Sequence, residues 1–272
     1  MDFQKKDYLC ALDKIFNSMN HTLIEEGDYR YMEAGEGQPI VVLHGLMGAL
    51  SNFESVLNHF STIGYKVIIP ELPIYNLPLL KTNVKNLSKF VKDFLAFKKI
   101  NNAIIMGNSL GGHVGLYFTK LNPNNVDALV LAGSSGLYEK SLGDTFPKRG
   151  NYNYIKTKVE EVFYSPEIAT KEMIDDVYAS VNDRSKVIKT LAIAKSAIRH
   201  NMASDLPSMN IPACVMWGKN DSVTPPKVAV DFHRLLPDSD LFWFDKCGHV
   251  PMMEHPEEFN EILEKWLKDR NL

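Results

Sequence analysis

A single serine, enclosed by glycines between an apolar run and a helical pattern, sets the strongest limit on the fold of this chain. The stretch IIMGNSLGGHV, residues 104–114, passes from β-branched residues through Gly107 to Ser109, and then to Gly111 and Gly112. This order predicts a sharp turn from a strand into a helix, because glycines are needed where side chains would collide with both elements. The turn would hold Ser109 in a strained conformation, with its hydroxyl above a sheet. The alternative is a glycine-rich turn with an incidental serine.

Short apolar runs alternate with longer amphipathic segments along the rest of the chain. The runs PIVVLHG and YKVIIPEL predict buried strands. Between them, SNFESVLNHFSTIG predicts a helix with Ser51 as its N-cap and Glu54 as the capping-box partner. HTLIEE and YRYMEAG predict an opening hairpin. Strands that alternate with helices in this way are typical of an α/β fold with a largely parallel sheet.

The composition of the chain argues against several classes of protein. Its 272 residues predict one domain, or one domain with an insertion, and its net charge of −3 gives no electrostatic reason to expect a nucleic acid or an anionic membrane as partner. Cys10, Cys214 and Cys247 are too few and too scattered for a disulfide framework or a zinc site. Neither a signal-peptide run nor an apolar stretch long enough for a membrane span occurs. We therefore expect a cytoplasmic protein with no nucleic-acid and no membrane partner.

One segment interrupts the alternation of strands and helices. Residues 137–207 are first polar and aromatic, and then contain two helical patterns, PEIATKEMIDDVYASVND and SKVIKTLAIAKSAIRHN. Helices inserted between two strands of a parallel sheet lie at the carboxyl edge of that sheet, where ligands bind in open α/β folds. We predict a core domain formed by 1–136 and 208–272, with 137–207 as a helical cap or lid. The alternative is a set of surface helices without contact to any site.

Two backbone amides near Ser109 are candidates for binding an oxyanion. The Leu110 amide lies at the start of the predicted helix, where N–H groups are free to bind an anion. The loop HGLMG follows the apolar run IVVL, and its Leu46 amide is the second candidate. His44 in this loop is either a catalytic base or, as we favour, a histidine that orders the loop.

A serine nucleophile needs a base and a carboxylate that orients the base. Asp221 follows the strand pattern ACVMW, and His249 follows LFWF. Both residues are therefore expected at the same edge of the sheet as Ser109. The chain order Ser, Asp, His is the order used in α/β sheets that carry a nucleophile elbow. Among the eight histidines, His249 alone follows a late strand and precedes a terminal helix.

The motifs HGLMG, GNSLGG, WGKND and CGHVPMMEHPEEF together resemble the α/β-hydrolase superfamily, and the resemblance covers nearly the whole chain. It implies a mostly parallel eight-stranded sheet with helices on both faces and an inserted helical lid. It also implies Ser109 as nucleophile, His249 as base, Asp221 as orienting acid, and Leu46 and Leu110 as donors of the oxyanion hole. No metal or cofactor is implied. A serine at the elbow argues against haloalkane dehalogenases and epoxide hydrolases, which carry aspartate there.

Within the superfamily, the chain is most similar to the lidded branch of carboxylesterases and carbon–carbon bond hydrolases. Asn108, before the serine, and Asn52 match the hydrolases of meta-cleavage products. The arginine that such enzymes use to hold a substrate carboxylate falls near Val177 and Tyr178 here, and Val250 replaces their tryptophan. We therefore expect a small or medium apolar carboxylic ester as substrate. The alternatives are a carbon–carbon bond hydrolase, for which Arg184 or Arg199 could replace the missing arginine, and a ligand-binding protein that retains the fold.

The remaining predictions concern the substrate pocket and the assembly. The predicted substrate-binding residues are Met47, Asn52, Asn108, Leu137, Tyr138, Phe146, Val223, Val250 and Met252. The first 20 residues have the pattern of an amphipathic helix, which covers either the body of the protein or a second subunit. A homodimer is therefore left open.

Overall fold

A central sheet of eight strands organises the computed structural model, which describes residues 22–139 and 148–272. The strands are β1 (Ile24–Glu26), β2 (Tyr29–Ala34), β3 (Gln38–Leu43), β4 (Tyr65–Pro70), β5 (Ala103–Asn108), β6 (Val126–Ala132), β7 (Ala213–Gly218) and β8 (Ser239–Phe244). Their order across the sheet is β1-β2-β4-β3-β5-β6-β7-β8. β2 pairs antiparallel with β1, which confirms the predicted hairpin, and also with β4, and all other pairs are parallel. The predicted α/β-hydrolase fold is confirmed.

Helices cover both faces of the sheet. In chain order the helices are α1 (Glu54–Phe60), α2 (Val84–Phe97), α3 (Leu110–Leu121), α4 (Tyr152–Glu160), α5 (Lys171–Asn182), α6 (Arg184–Arg199), α7 (Pro226–Leu235), α8 (Pro251–Glu254) and α9 (Pro256–Asp269). α2, α3 and α7 contribute to one apolar cluster, and α1 and α9 contribute to the cluster on the opposite face. None of the helices in the described residues combines the length and the apolar character that a membrane crossing requires.

The central strands are buried on both faces, and this explains their continuous apolar sequences. Val41 and Leu43 of β3 belong to the cluster that contains α2 and α3, whereas Ile40 and Val42 belong to the cluster that contains α1 and α9. Successive side chains of a strand point to opposite faces of the sheet, so both positions must be apolar when both faces are covered. Because β5, β6, β7 and β8 pair in parallel, the carboxyl ends of β5, β7 and β8 lie at the same edge of the sheet.

The first helix begins in a different way from the one predicted. Residues Leu50–Phe53 form a 3₁₀ turn, and α1 starts at Glu54 with Phe53 in the N-cap position and no side-chain hydrogen bond. The predicted capping box of Ser51 and Glu54 is therefore wrong. Phe53 is buried in the core, and packing of its ring replaces the polar cap as the contact that positions this helix.

Along the chain, helices α4, α5 and α6 lie between β6 and β7. Each begins at a polar N-cap, in turn Asn151, Thr170 and Asp183, whose side chain accepts a backbone hydrogen bond. α5 and α6 match the two predicted helical patterns, whereas α4 was not predicted. The division into a core and a cap at 137–207 stays a prediction. The first 20 residues and Phe146 lie outside the described residues.

Candidate active site

Ser109 occupies a strained turn between β5 and α3. Its backbone has φ 54° and ψ −121°, a combination that L-residues with side chains rarely adopt. Its carbonyl oxygen accepts hydrogen bonds from the amides of His113 and Ser135, at 3.3 and 3.0 Å. The surrounding backbone therefore holds the turn in place, and Ser109 lies at the floor of a cavity.

The glycines around Ser109 are required by close backbone contacts. A Cβ on Gly107 would lie 2.4 Å from the carbonyl carbon of Gly111, and a Cβ on Gly111 would lie 1.9 Å from the carbonyl oxygen of Leu43. Both distances are far below van der Waals contact. Strand β3, strand β5 and helix α3 can meet at this point only because these two residues have no side chain.

We expect Gly111→Ala to destabilise the fold by about 3 kcal/mol or more, because its Cβ meets a strand backbone that cannot move aside. The melting temperature should fall by about 6 to 12 °C. Thermal unfolding followed by circular dichroism measures this fall. Gly150→Ala is the matched control, because a Cβ there has nothing within 4 Å. Equal melting temperatures of the two variants would contradict the packing argument.

The structure brings Asp221 and His249 together at the carboxyl edge of the sheet. Nδ1 of His249 lies 2.9 Å from Oδ2 of Asp221, and both residues are buried. Oδ1 of Asp221 accepts hydrogen bonds from the amides of Val223 and Thr224, and the Thr224 hydroxyl donates to Oδ2 at 2.8 Å. Because a carboxylate only accepts, Nδ1 of His249 carries the proton, and Nε2 is left as the basic nitrogen.

Asn108 connects the backbones of the loops that form the site. Its Nδ2 donates to the carbonyl oxygens of Ala132 and His249, at 2.9 and 3.1 Å. The residue was predicted to bind substrate, and it does line the cavity. Its donor group is nevertheless used by the backbone, so its clearest contribution is to hold the His249 loop beside the end of β6.

His44 orders the loop that contains Leu46. Its Nδ1 donates to the carbonyl oxygen of Gly45, and its Nε2 accepts from the amide of Leu72 at 2.9 Å. The bond from Leu72 requires a neutral ring with a free Nε2, and burial favours that form because it lowers the pKa of His44. Of the two predicted oxyanion donors, Leu46 lines the cavity. The side chain of Leu110 is buried in the core, and Leu110 is the first residue of α3.

A cavity of about 470 Å³ lies above Ser109 and His249, between the strand ends and the helices α4 to α6. The predicted residues that line it are Leu46, Met47, Asn52, Asn108, Val223 and Val250. Three predicted pocket residues lie elsewhere. Leu137 packs against the core, Tyr138 is exposed, and Met252 is buried in the core cluster with α9. Their nearness in sequence to the motifs did not determine the direction of their side chains.

The apolar wall of the cavity comes mainly from residues that the sequence analysis missed. These residues are Ile155, Val159, Val162, Phe163, Met173, Val177, Val181 and Met253. Ile155 and Val159 belong to α4, a helix that was not predicted because the sequence around its start, NYNYIK, is polar and aromatic. Val177, near which the substrate-binding arginine of the meta-cleavage product hydrolases was expected, lines the cavity.

Charged groups also line the cavity, at positions other than the predicted ones. Arg184 and Arg199 are exposed on α6 and do not line it. Arg149, Lys158 and Asp176 do. Lys158 forms an ion pair with Glu161.

Among the residues that the structure describes, no group of three or more His, Cys, Asp or Glu side chains is placed to hold a metal ion.

Comparison with known proteins identifies the family. Residues 38–159 match the family model of the alpha/beta hydrolase fold. A similar crystal structure is that of an alpha/beta hydrolase enzyme from the metagenome of sediments of the lagoon of Mar Chica, Morocco. Its sequence is 53% identical to this chain, and the two structures superpose with a TM-score of 0.78. The match covers 92% of this chain and 100% of that chain. This chain is a member of the α/β-hydrolase family. It is therefore a hydrolase.

Two curated relatives of this hydrolase have more specific names. A 2-hydroxy-6-oxononadienedioate/2-hydroxy-6-oxononatrienedioate hydrolase of Pseudomonas sp is 26% identical, covering 89% of this chain and 92% of the relative. A 2-hydroxy-6-oxo-6-(2'-aminophenyl)hexa-2,4-dienoic acid hydrolase of Metapseudomonas resinovorans is 29% identical, covering 89% and 88%. Both names specify a hydrolase of a 2-hydroxy-6-oxo acid.

Proposed function

We propose that this hydrolase uses Ser109 as a nucleophile, with His249 as the base and Asp221 as the carboxylate that orients it. The observation that supports this most directly is the 2.9 Å contact between His249 and Asp221 beside the cavity that Ser109 also lines. The neutral imidazole with its proton on Nδ1 is the form that accepts a proton from a serine hydroxyl. The strained backbone of Ser109 is consistent with a nucleophile elbow.

The reaction follows from these roles. His249 takes the proton of Ser109 as the hydroxyl oxygen attacks a carbonyl carbon of the substrate. The amides of Leu46 and Leu110 bind the oxyanion of the tetrahedral intermediate, and each such donor lowers the barrier by about 3 kcal/mol. His249 then gives its proton to the leaving group. Water, activated by the same histidine, hydrolyses the acyl-enzyme and restores Ser109.

The lining of the cavity favours a small or medium apolar ester as the substrate. Its volume of about 470 Å³ suits an organic molecule of modest size, and aliphatic side chains of α4 and α5 contribute to its wall. An uncharged acyl group would be desolvated there without the cost of burying a charge. We include 137–207 in this proposal as the cap that encloses the acyl group.

The second candidate is hydrolysis of a carbon–carbon bond in a meta-cleavage product. The names of the curated relatives favour this candidate over the ester. Arg149 and Lys158 at the cavity are cations of the kind that attract the carboxylate of such a substrate. The two candidates share the residues proposed above and differ in the leaving group and in the need for a cation.

A parallel assay separates the candidates. We expect p-nitrophenyl esters of graded acyl length to be hydrolysed, and 2-hydroxy-6-oxo-6-phenylhexa-2,4-dienoate to be cleaved slowly. Cleavage of the dienoate alone would reverse the order of the two candidates. Lys158→Met adds a second criterion, because it removes a cation that would bind the carboxylate of the dienoate. We expect kcat/KM for the dienoate to fall by about tenfold and kcat/KM for neutral esters to stay unchanged. Lys171→Met, on the outer surface of the cap segment beside Asp175, is the matched control.

From the sequence alone, a further alternative is a ligand-binding protein that retains the fold, in which Ser109 would not be an activated nucleophile. A fluorophosphonate probe tests it directly, because only an activated serine reacts rapidly with such a probe. We expect labelling of Ser109 within minutes. Failure of the wild-type protein to label, together with failure to hydrolyse either substrate class, would contradict the proposed function.

A further inference from the structure

Residues 161–164, which follow α4 directly, are hydrogen-bonded to both loops of the proposed catalytic pair. We call this segment the cap strap. The hydroxyl of Ser222, next to Asp221, donates to the carbonyl oxygen of Glu161 at 2.7 Å. The backbone amide of His249 itself donates to the carbonyl oxygen of Val162 at 2.8 Å. The backbone position of the histidine is therefore tied to the cap segment.

Glu254, at the end of α8, joins the cap strap to the histidine loop a second time. Its Oε1 accepts from the amide of Gly248 at 2.7 Å, and its Oε2 accepts from the amide of Tyr164 at 2.7 Å. Each carboxylate oxygen is thus used by a different segment of backbone. Hydrogen bonds from an N–H group to an ionised carboxylate are stronger than those between neutral groups.

The contact between the cap strap and the histidine loop is close as well as hydrogen-bonded. A Cβ on Gly248 would lie 2.4 Å from the carbonyl oxygen of Val162 and 3.0 Å from Oε1 of Glu254. No larger residue fits at this position without moving the cap strap. The spacing of the two segments is therefore narrowly set, and Glu254 contacts both of them.

The cap strap also forms part of the cavity wall. Val162 and Phe163 both line the cavity, and Val162 is the residue whose carbonyl binds the amide of His249. A group bound in the cavity consequently touches the same residue that positions the histidine. The same short segment of backbone therefore provides both an apolar contact to the cavity and the hydrogen bond to the amide of His249.

We propose that Glu254 is a positioning residue, which holds the cap strap against the Gly248 amide and thereby sets the place of the His249 imidazole. This inference rests on the proposed role of His249 as the base. Glu254 does not line the cavity. Its effect is transmitted through the backbone of Gly248 and the cap strap.

Glu254→Gln tests the proposal with little change in side-chain size. Glutamine has one oxygen acceptor, so its NH₂ group would face one of the two backbone amides and leave that amide without a partner. We expect kcat for the preferred substrate to fall by about tenfold or more, with KM changed by less than about twofold, because misplacement of the base affects the chemical step. Hydrogen exchange of the Tyr164 and Gly248 amides should become faster.

Glu264→Gln is the matched control for this variant. Glu264 is also a hydrogen-bonded glutamate in the C-terminal region, and its partners are His59 and Lys268, which do not line the cavity. We expect wild-type kcat and unchanged exchange of the Tyr164 and Gly248 amides in this control. Near-ultraviolet circular dichroism corrects every kcat for the folded fraction, because labelling of Ser109 itself depends on the base under test.

Ser222→Ala keeps the proposal testable if Glu254→Gln does not fold. It removes an exposed hydroxyl and with it the bond to the cap strap, and we expect kcat to fall by about two- to fivefold. Wild-type kcat and unchanged exchange of the Tyr164 and Gly248 amides in Glu254→Gln would overturn the proposal. Wild-type kcat in Ser222→Ala would overturn its premise, which is that bonds to the cap strap set the position of the histidine. A kcat loss that disappears after correction for folded protein would also overturn it. An inactive, unlabelled wild-type protein would instead contradict the proposed function, whereas the exchange measurement still reports on the Glu254 contacts.

Discussion

Replacing Ser109 by alanine is expected to lower kcat by about a hundred-thousandfold to a millionfold. The variant loses the oxygen that would form the acyl-enzyme, so both candidate reactions stop at the same step. Hydrolysis of the preferred substrate and labelling by a fluorophosphonate probe measure the loss. We expect residual turnover about 10³- to 10⁴-fold above the rate without enzyme, from the oxyanion amides and substrate binding alone, and no covalent label on the protein.

Ser109→Gly separates the chemical loss from damage to the fold. Serine is held at φ 54°, a region that glycine enters without strain, so this variant should be inactive and more stable by about 1 kcal/mol. Ser109→Ala keeps the strain and should melt close to the wild type. More than one hundredth of the wild-type kcat in either variant would remove Ser109 from the mechanism, since about a hundredfold loss is far below the effect of deleting a nucleophile.

Asp221→Asn has the second largest expected effect, a fall in kcat of about ten-thousandfold. The amides of Val223 and Thr224 both donate to Oδ1, so an asparagine must keep its oxygen there and turn its NH₂ group towards His249. Nδ1 of the histidine then has to accept, and its proton moves to Nε2. A protonated Nε2 cannot take the proton of Ser109, and the base is lost although the geometry is kept.

Steady-state hydrolysis and a crystal structure of Asp221→Asn test this argument together. The structure should keep the Nδ1 contact of 2.9 Å, now with reversed donor and acceptor. Asp238→Asn, which removes a carboxylate from a surface ion pair with Arg270, is the matched control and should retain wild-type kcat. If Asp221→Asn retained activity within about tenfold of the wild type, the orienting role of Asp221 would be refuted.

The proposed nucleophile and its turn were predictable because the information is local. Gly107 and Gly111 flank Ser109 within five residues, and the structure shows the backbone contacts that exclude a side chain at each glycine. Asp221 and His249 were predictable for a related reason. Each follows a parallel strand, and the carboxyl ends of parallel strands meet at one edge of the sheet.

The cavity wall was much less predictable. Val250 and Met252 lie two residues apart in one motif and both belong to the core cluster that contains α9, yet of the two only Val250 also lines the cavity. Apolar side chains are equally suited to both places, so residue type alone does not separate them. The capping box predicted from Ser51 was wrong for a similar reason, because residues Leu50–Phe53 form a 3₁₀ turn with Phe53 buried and the helix begins only at Glu54.

The side-chain contacts with distant backbone groups had no sequence signal, although Asn108 itself was predicted to bind substrate. Asn108 reaches the carbonyl of His249 across 141 positions of the chain, and Glu254 reaches the amide of Tyr164 across 90. Their partners are main-chain atoms, which every residue possesses, so no pairing of side-chain types marks the contact. Such contacts become visible only when the two segments are placed side by side.

Short-range spacing along the chain was therefore sufficient for the fold family, for the strained serine turn and for the residues that follow the parallel strands, because sterics and strand direction act locally. Only the packed molecule decided which apolar side chains enclose the cavity and which backbone bonds connect the cap strap to His249. The physical reason is that burial and hydrogen bonds to the main chain depend on the positions of distant segments and not on the neighbouring residues.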